Sequence, residues 1–576
     1  MTDTRKPPLR SASWFSRLDN SGFEHRTHLK ARGAAPEMFD GRPVIGIANS
    51  ASDLVPCNAH LTALAEWVSR GVLENGGYPL VFPTMSIGDS IMRPSGMLFR
   101  NLMSMELEAL LRANPLDGVV LLTGCDNTAP AYMMGAASVD LPTIVVHGGA
   151  MVSGYVGQRT IGSGTDIFKL YDDFRTGRMS EAAFLDSEAS MSRSDGHCNT
   201  MGTAATMGCL AEALGLSLPG SAAIPAVDAR RKISAQLAGR RAVELVWEDL
   251  AFSRIVDRRA LENAIRVNAA LGGSTNAVLH LTALAGRLGI RLTLDDFQAN
   301  CEGIPLLANL VPNGEFLVEE FYRAGGLPAL MHALADRLHL DALTVAGRTV
   351  KESIADRGTT DPRVIGSFER PIKPENALRV LRGNLAPAGA IIKPSAASPS
   401  LMRHTGRAVV FESIEDLDAR IDSHDLEVDA DSVLVLKGIG PRGYPGMPEL
   451  GNIRIPAKLL AKGVTDMVRI SDGRMSGTAF GTVVLHVAPE AAVGGPLALV
   501  RTGDRIALDV KQGSLSLLVD HDELSARRSA WRSSITAPAR GYERLFVEHV
   551  TQADEGIDFD FLAGCGGSAP PARRPF

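Results

Sequence analysis

A short strand and the turn after it are encoded by Asp117-Gly-Val-Val-Leu-Leu-Thr-Gly-Cys-Asp-Asn-Thr-Ala-Pro130. The apolar run 119–122 is typical of a buried strand, and Gly124 ends it just before a helix-like segment. In open parallel sheets, ligands bind beyond the carboxyl ends of the strands. Cys125 and Asp126 would lie there, a thiolate suited to iron or zinc beside a carboxylate suited to magnesium. The alternative is structural, with Cys125 as a small buried residue and Asp126 as a helix N-cap.

Strand-like and helix-like segments alternate on both sides of this turn. Apolar runs at 44–48, 79–82 and 142–146 predict three further strands, and amphipathic patterns between them predict helices. This alternation is the signature of a largely parallel, doubly wound sheet. The expected fold class is therefore α/β, with the sheet in an N-terminal domain of residues 1–378.

The pattern changes after residue 378, where short β-like runs and turns rich in Gly and Pro replace most of the helices. We therefore predict a second, mostly β, barrel-like domain over residues 379–565. Residues 566–576 are rich in Pro, Arg and Gly, and we predict a disordered tail there. The predicted strands of the second domain are 390–393, 408–411, 433–436, 482–485, 506–510 and 515–519.

Size and composition exclude several classes of protein. A chain of 576 residues is too long for one ordinary core, and a formal net charge of -6 without a long Lys/Arg block argues against a nucleic-acid binder. Residues 1–10 lack the apolar core of a signal peptide, and no apolar run is long enough to cross a bilayer. We expect a cytoplasmic protein with no membrane partner. No Walker loop or G-x-G-x-x-G motif follows a strand, so nucleotide binding has no support.

Three of the six cysteines share a local pattern. Cys57, Cys125 and Cys198 are each followed by Asn or Asp, in loops that follow extended runs or precede helices. Loops from separate βα units can meet in one crevice and hold an iron-sulfur cluster or a zinc ion, with one coordination position open for Lewis-acid chemistry. Widely spaced cysteines carry no spacing signature, however, so three buried thiols are the alternative.

Oxygen ligands and a possible base occur in other loops. Asp89, Asp126 and Glu449 suit magnesium, although such carboxylates are more often solvated or capping. Ser476, in a glycine-containing loop, would serve as an alkoxide base if a metal lay nearby. The cations that could meet a substrate carboxylate are Lys393, Lys437 and Arg474, with surface or salt-bridge roles as the alternative.

Seven short motifs occur in order along the chain: Pro56-Cys-Asn-Ala-His60, Gly124-Cys-Asp126, Gly196-His-Cys198, Gly272-Gly-Ser-Thr-Asn276, Gly383-Asn-Leu-Ala-Pro387, Gly443-Tyr-Pro-Gly-Met-Pro-Glu449 and Arg474-Met-Ser-Gly477. Together they resemble the motifs of the dihydroxy-acid and sugar-acid dehydratases, over nearly the whole chain. The sugar-acid branch is the closer likeness, from Arg93-Pro-Ser-Gly-Met-Leu-Phe-Arg100, Asn114-Pro-Leu-Asp-Gly118 and the C-terminal region. The substrates implied are pentonates such as arabinonate or xylonate, or a hexonate such as gluconate.

The resemblance implies two cofactors and a base. A [2Fe-2S] cluster on Cys57, Cys125 and Cys198 would leave one iron open to the substrate, and Mg²⁺ would hold the substrate carboxylate and 2-hydroxyl. Ser476, as an alkoxide, would remove the C2 proton while the open iron draws off the 3-hydroxyl, giving a 2-keto-3-deoxy acid. A homodimer or homotetramer is also implied, with the active site between domains and near a neighbouring subunit. The implied magnesium positions are Asp89, Asp126, Asn127 and Glu449.

Two of these positions depart from the family pattern. Asp89 stands where the family has glutamate, and Asn127 stands where it has a lysine that is carbamylated in several members. Asn127 offers only a neutral amide oxygen, so weaker magnesium binding is expected. The hypotheses are a working sugar-acid dehydratase, which we favour, a dihydroxy-acid dehydratase of branched-chain amino-acid synthesis, a non-catalytic homologue with an impaired magnesium site, and a zinc hydrolase. The last has little support, because zinc hydrolases favour His and carboxylate ligands.

Overall fold

The computed structural model describes residues 7–375, 377–533 and 535–571. Most of the stretch 1–10 and the last five residues of the predicted tail lie outside these ranges. In the described part of the tail, Gly566 N donates to Ser138 O at 2.9 Å, and Arg10 Nε donates to Ser568 O at 2.7 Å. No helix in the described ranges is both long and apolar enough to cross a bilayer.

The N-terminal domain is organised around a four-stranded sheet of β1 (Val44–Asn49), β2 (Tyr78–Pro83), β3 (Gly118–Thr123) and β4 (Thr143–His147). Their order is β2-β1-β3-β4 and every neighbouring pair is parallel, which confirms the predicted strands and the α/β fold class. β3 and β4 are buried along their whole length, as expected of apolar strands in a sheet that is covered on both faces.

Helices and one small hairpin surround this sheet. The α-helices are α1 (Ala12–Phe15), α2 (Asn20–Lys30), α3 (Leu61–Glu74), α4 (Arg100–Ala113), α5 (Thr128–Val139), α6 (Thr165–Arg175), α7 (Glu181–Met191), α8 (Thr203–Ala213), α9 (Ala229–Trp247), α10 (Phe252–Ile255), α11 (Arg258–Leu271), α12 (Asn276–Arg287), α13 (Leu294–Cys301), α14 (Val318–Arg323), α15 (Gly326–Ala333) and α16 (Val350–Ile354). The hairpin is β5 (Gly154–Val156) with β6 (Arg159–Ile161), and 3-10 turns occur at Pro36–Phe39, Pro56–Asn58, Gly96–Phe99 and Ala335–Arg337.

The connections place helices on both faces of the sheet. The chain passes from β1 to β2 in one direction and from β2 across to β3 in the other, and right-handed crossovers of opposite direction lie on opposite faces. α3 therefore covers one face and α4 the other. α3 packs so closely on α9 that a side chain at Gly71 or Gly239 would collide with the backbone of the facing helix. Glycine at these two positions allows this close approach.

The second domain is a closed barrel of β7 (Arg379–Gly383), β8 (Ala386–Ile392), β9 (Arg403–Phe411), β10 (Val433–Leu436), β11 (Arg469–Ser471), β12 (Val483–Ala488), β13 (Arg505–Asp509) and β14 (Ser514–Leu517). All six predicted strands are confirmed, whereas β7 and β11 were missed because they are short or rich in arginine. Its helices are α17 (Ile414–Arg420), α18 (Ala457–Leu460), α19 (His521–Ala530) and α20 (Tyr542–His549), with 3-10 turns at Pro394–Ala396, Pro399–Leu401, Ala491–Val493, Pro496–Leu499, Ala553–Glu555 and Asp560–Leu562.

Alternating side chains fill and surround the barrel. Val410 and Val435 belong to the cluster inside it, whereas the neighbouring Phe411 and Leu436 belong to a second cluster outside. This alternation follows from the two-residue period of a strand whose two faces are both covered. β9, β10, β11 and β12 run parallel to one another, so their carboxyl ends lie on one side of the barrel.

After the barrel, residues 542–562 return to the N-terminal domain, and we name this segment the strap. Phe546 and Phe559 pack in a buried cluster with Met97 and Leu98. Arg287 of α12 is fully buried and pairs with Asp558 through two contacts, Nε to Oδ2 at 2.6 Å and Nη2 to Oδ1 at 3.0 Å. A bidentate buried ion pair thus fastens the strap to the first domain.

Replacement of Arg287 by methionine is expected to destabilise the protein by about 3–5 kcal/mol, because Asp558 would stay buried without its cation. The measurement is urea unfolding followed by circular dichroism. Arg363→Met is the matched control, because the Arg363–Asp361 pair lies at the surface, where loss of an ion pair changes stability little. A loss no larger than that of the control would contradict the role of the buried pair.

Candidate active site

The carboxyl ends of β1 and β3 form the base of the site. These neighbouring strands lead into crossovers of opposite direction, and a ligand-binding crevice opens between such loops. The loop after β1 leads to the 3-10 turn Pro56–Asn58, which carries Cys57, and the loop after β3 carries Cys125. The turn highlighted by the sequence therefore lies at the topological switch point of the sheet.

Asn58 joins the loops of three strands. Its side chain is fully buried, and Nδ2 lies 3.1 Å from Ser50 Oγ, 3.0 Å from Ser86 Oγ and 3.4 Å from Thr128 Oγ1. These three hydroxyls follow β1, β2 and β3. Gly124 is required beside them, since an added Cβ would lie 2.6 Å from Asn58 Oδ1. One amide thus fixes the relative positions of the loops.

Cys125 Sγ donates to Asp126 Oδ1 at 2.8 Å. Interaction with the thiol of Cys125 lowers the pKa of Cys57, and interaction with the thiol of Cys57, burial and the charge of Asp126 raise the pKa of Cys125 well above its usual value. Gly88 lies over Cys125, and a Cβ there would be only 2.6 Å from Sγ. The thiol keeps its position because residue 88 has no side chain.

Cys198 reaches the same region from the loop between α7 and α8. The backbone on both sides of Cys198 is fixed by hydrogen bonds. His197 N donates to Gly149 O, just after β4, at 3.0 Å, and Asn199 N donates to Ser163 Oγ at 2.9 Å. Burial, followed by the charge of Cys57, raises the pKa of Cys198 to about 12. The three cysteines selected from the sequence therefore lie in one electrostatic environment.

Three carboxylates also interact there. Burial, aided by the charge of Asp89, raises the pKa of Asp126 to about 6. Burial raises the pKa of Glu449 to about 7, with Asp89 and Asp126 adding to the rise and Arg474 opposing it. Burial acts in the same direction on Asp89, but Arg474 and hydrogen bonds outweigh it and its pKa is lowered. The carboxylates repel one another, so cations and hydrogen-bond donors stabilise the group.

Arg474 partly neutralises these acids. Its guanidinium is 1% exposed, and Nη1 donates to Glu449 Oε1 at 2.6 Å while Nη2 lies 3.2 Å from Asp89 Oδ2. Nη2 also donates to Ser95 Oγ at 3.0 Å, and Nε donates to Met447 O at 2.7 Å. With these protein partners, the guanidinium balances the buried carboxylates and is not free to receive a substrate carboxylate.

The two lysines considered with Arg474 lie elsewhere. Lys437 Nζ donates to Glu412 Oε1 at 2.9 Å and to Ala498 O at 3.3 Å. Lys393 is 1% exposed, burial lowers its pKa to about 7, and its Nζ has no hydrogen-bond partner in the described part of the chain. Within the described ranges neither lysine bonds to a side chain of the crevice, so the structure gives no support for either as a substrate anchor.

Two loops of the barrel complete the crevice. Glu449 lies in the loop after β10 and Ser476 in the loop after β11, and these parallel strands present their carboxyl ends together. Asp472 joins the loops by accepting from Gly438 N at 3.2 Å and Ile439 N at 3.1 Å. The active-site crevice therefore lies between the carboxyl ends of strands from both domains.

Sequence reasoning assigned no role to three residues that the structure brings into the site. Thr478 Oγ1 lies 2.9 Å from Ser476 Oγ, and Asn276 Nδ2 donates to Glu449 Oε1 at 2.8 Å. The third residue is Gly88, over the thiol of Cys125. Thr478 and Asn276 lie in or beside recognised motifs, and that proximity was the available signal. A role for Gly88 depends on a contact that sequence does not encode locally.

No three His, Cys, Asp or Glu side chains in the described ranges converge as ligands of a single metal ion. The zinc hypothesis gains no support, because one zinc ion needs its thiolates around one point. A two-iron cluster divides its protein ligands between two metals and does not need three thiolates around one point. A single Mg²⁺ would need Asp89, Asp126 and Glu449 around one point, and in the described ranges these three side chains do not converge either. Asp89 and Asp126 are bridged instead by hydrogen bonds from Asn127, and Asp89 and Glu449 by Arg474.

Comparison with known families gives two matches along the chain. Residues 42–353 match the family described as Dihydroxy-acid/6-phosphogluconate dehydratase N-terminal. Residues 363–557 match the family described as Dihydroxy-acid/6-phosphogluconate dehydratase C-terminal. The first match contains all three crevice cysteines, and the second contains the barrel, Glu449 and Ser476.

Similar curated proteins are named for sugar acids. The L-arabonate dehydratase of Azospirillum brasilense is 53% identical, over 99% of this chain and 99% of its own. The L-arabinonate dehydratase of Rhizobium leguminosarum bv. trifolii is 52% identical over 97% of each chain. The 6-deoxy-6-sulfo-D-gluconate dehydratase of Pseudomonas putida is 47% identical over 98% of each. The resemblance drawn from the motifs, including its sugar-acid branch, is confirmed.

The raised pKa of Glu449 predicts a pH-dependent stability in metal-free buffer. A carboxyl whose pKa is raised by folding stabilises the folded chain at low pH, and this contribution is lost as the pH rises from about 4.5 through about 7. Glu449→Gln mimics the protonated form. The free energy of unfolding of the variant minus that of the wild type should rise by about 2 kcal/mol from about pH 5 to pH 8. The measurement is urea unfolding with EDTA.

The matched control is Glu427→Gln, at a side chain that is 89% exposed. This variant should follow the pH profile of the wild type. A gap between wild type and Glu449→Gln that does not change with pH would rule out the expected role of burial at Glu449.

Proposed function

The chain belongs to the dihydroxy-acid/6-phosphogluconate dehydratase family, and on that premise we propose that it converts an aldonate, a pentonate or hexonate, into a 2-keto-3-deoxy acid. Members of this family are named dehydratases, so the chain is a hydro-lyase, and its similar relatives are sugar-acid dehydratases. The observation that carries the proposal is the crevice between the two domains, which is lined by loops that carry three thiols, three carboxylates and Ser476.

We propose that Cys57, Cys125 and Cys198 hold a [2Fe-2S] cluster. Their chemistry fits such a group, because burial raises the pKa of Cys125 and Cys198, and a bound metal would compensate the thiolate charge that burial disfavours. Gly88 leaves the space over Cys125 that a Cβ would fill. The loops that carry the thiols are already fixed by backbone and amide hydrogen bonds, so little ordering is needed on binding.

We propose that Asp89, Asp126 and Glu449 hold Mg²⁺, with the amide oxygen of Asn127 as a further ligand. Carboxylates are the hard oxygen ligands that Mg²⁺ prefers, and a divalent cation would offset the burial and the mutual repulsion that raise the pKa of Asp126 and Glu449. When bound, the two groups would supply Lewis acidity, iron at the 3-hydroxyl and Mg²⁺ at the carboxylate and 2-hydroxyl.

Ser476 would remove the proton from C2. Thr478 Oγ1, at 2.9 Å, can donate to Ser476 Oγ, and the N–H of Thr478 donates to the same oxygen at 3.4 Å. Hydrogen bonds of this kind strengthen as the acceptor becomes anionic, so they would stabilise the alkoxide. As the proton moves from C2 to Ser476 Oγ, the electron pair of the C2–H bond forms the C2–C3 double bond, and hydroxide leaves C3. The enol then becomes the 2-ketone, and one water is released in total.

Close packing between the domains holds this base in place. Gly477 follows Ser476, and a Cβ at Gly477 would lie 2.7 Å from Thr203 N and 2.8 Å from Ser274 Oγ. Thr203 is the first residue of α8 and Ser274 lies two residues before α12, and both helices belong to the first domain. Ser476 is therefore positioned by a close contact between the two domains at the residue that follows it.

The test of this function is a panel of arabinonate, xylonate, gluconate and 2,3-dihydroxyisovalerate, assayed anaerobically with Mg²⁺ for 2-keto acid. We expect turnover of at least one aldonate. Ser476→Ala should lower kcat by about 10²- to 10⁴-fold, because the general base is lost. Ser525→Ala, at an exposed position on α19, is the matched control and should leave kcat unchanged.

The remaining hypotheses predict other results in the same panel. Preference for 2,3-dihydroxyisovalerate would identify the branched-chain dehydratase alternative. Absence of turnover with every aldonate would favour the non-catalytic homologue. Full activity of Ser476→Ala would refute the assignment of the base.

The proposed cluster makes a separate prediction about iron. Gly88→Ala should displace the thiol of Cys125, because the new Cβ would lie 2.6 Å from Sγ. We expect the iron content of anaerobically purified protein, and its visible absorption, to fall to about half of the wild-type value or less. Gly286→Ala is the matched control, because a Cβ at Gly286 would meet no atom within 4 Å. Equal iron in all three proteins would count against Cys125 as a ligand.

A further inference from the structure

The amide of Asn127 lies between two of the proposed magnesium ligands. Asn127 is 1% exposed and precedes the first residue of α5. Its Nδ2 donates to Asp89 Oδ2 at 2.9 Å and to Asp126 Oδ1 at 3.2 Å. The two hydrogens of one amide therefore bridge two carboxylates that would otherwise repel each other.

Backbone packing holds this amide in position. A Cβ at Gly96 would lie 2.6 Å from Asn127 Nδ2, so the amide rests against the glycine backbone. Gly96 N also donates to Asp89 Oδ1, which gives both oxygens of that carboxylate a hydrogen-bond donor. The arrangement of Asp89 is therefore complete without a metal ion.

A divalent cation cannot share this arrangement. Mg²⁺ binds oxygen atoms and is repelled by the positive ends of N–H groups, so the amide hydrogens would have to leave the carboxylate oxygens that accept them. Rotation of the Asn127 amide by half a turn would exchange Nδ2 for Oδ1, which is a neutral oxygen ligand. Arg474 is less able to make way, because it is also bonded to Ser95 and Met447.

We propose that Asn127 is an exchangeable clamp on the cation site: its amide hydrogens hold Asp89 and Asp126 together in the absence of the cation, and its amide oxygen turns to the cation when one binds. This inference rests on the proposed function, because it concerns the magnesium site assigned there. The clamp stabilises the cation-free protein and competes with the cation. The site is thereby built for weak, exchangeable binding, and turnover would follow the free concentration of Mg²⁺.

Asn127→Asp tests the clamp, because it keeps the shape of the side chain, removes both donated hydrogen bonds and adds an oxygen ligand. In EDTA the variant should unfold at a lower temperature than wild type, since carboxylates would face each other without donors. Mn²⁺ should bind the variant about tenfold or more tightly than wild type, measured on full-length anaerobic protein from the electron paramagnetic resonance signal of free Mn²⁺. Saturating Mn²⁺ should raise the melting temperature of the variant more than that of wild type.

Two further variants keep the test decisive. Asn127→Leu removes the donors without adding a charge, and it should also lower the melting temperature in EDTA. Gln158→Glu, at an exposed glutamine in the turn between β5 and β6, should change neither Mn²⁺ affinity nor stability in EDTA. Equal Mn²⁺ affinity and equal stability in EDTA for wild type and Asn127→Asp would overturn the clamp, even if aldonates were turned over with Mg²⁺. The expected differences in a protein that dehydrates no aldonate would refute the proposed function and leave the clamp standing.

Discussion

The geometry of the crevice depends on one buried amide. Asn58 bonds to hydroxyls after β1, β2 and β3, and so fixes three loops that would otherwise vary independently. Two thiols are adjacent to these bonds: Cys57 precedes Asn58, and Cys125 lies three residues before Thr128, whose Oγ1 also accepts from Cys125 N. The same amide therefore sets the separation of the two sulfur atoms. The asparagine that follows Cys57 is thus a geometric requirement, whatever group the thiols bind.

The second half of the crevice exists only when the two domains pack. Glu449 and Ser476 are on barrel loops, yet their contacts reach across to the first domain through Asn276 and the backbone beside Gly477. The strap reinforces this packing, because its aromatic cluster includes Met97 and Leu98, which follow Ser95 and Gly96 along the chain. The contacts that stabilise the domain interface therefore also position Ser476.

The sequence predicted what has a local period or a recognisable motif. The four parallel strands and six barrel strands follow from apolar runs, and the structure confirms them. The grouping of the cysteines is predicted from loops at strand ends. The three-residue β11 has no period to detect, and Arg379 and Arg382 mask β7. Among three cations with similar sequence contexts, only folding separates Arg474 in the crevice from Lys437, which pairs with Glu412. The location of each cation depends on partners that are distant in the sequence, so local sequence patterns do not predict it.

The balance of charge explains why soft and hard ligands occur side by side. Asp89, Asp126 and Glu449 share one guanidinium, so the crevice carries excess negative charge whenever all three are ionised, and burial makes that state costly. Thiolates at Cys125 and Cys198 would add to it, and the raised pKa values of these thiols reflect the same cost. Under the proposed function, bound cations would reduce this cost, and an anionic sugar acid could then enter beside the carboxylates without prohibitive repulsion. An acidic crevice would be compatible with an acidic substrate only through such cations.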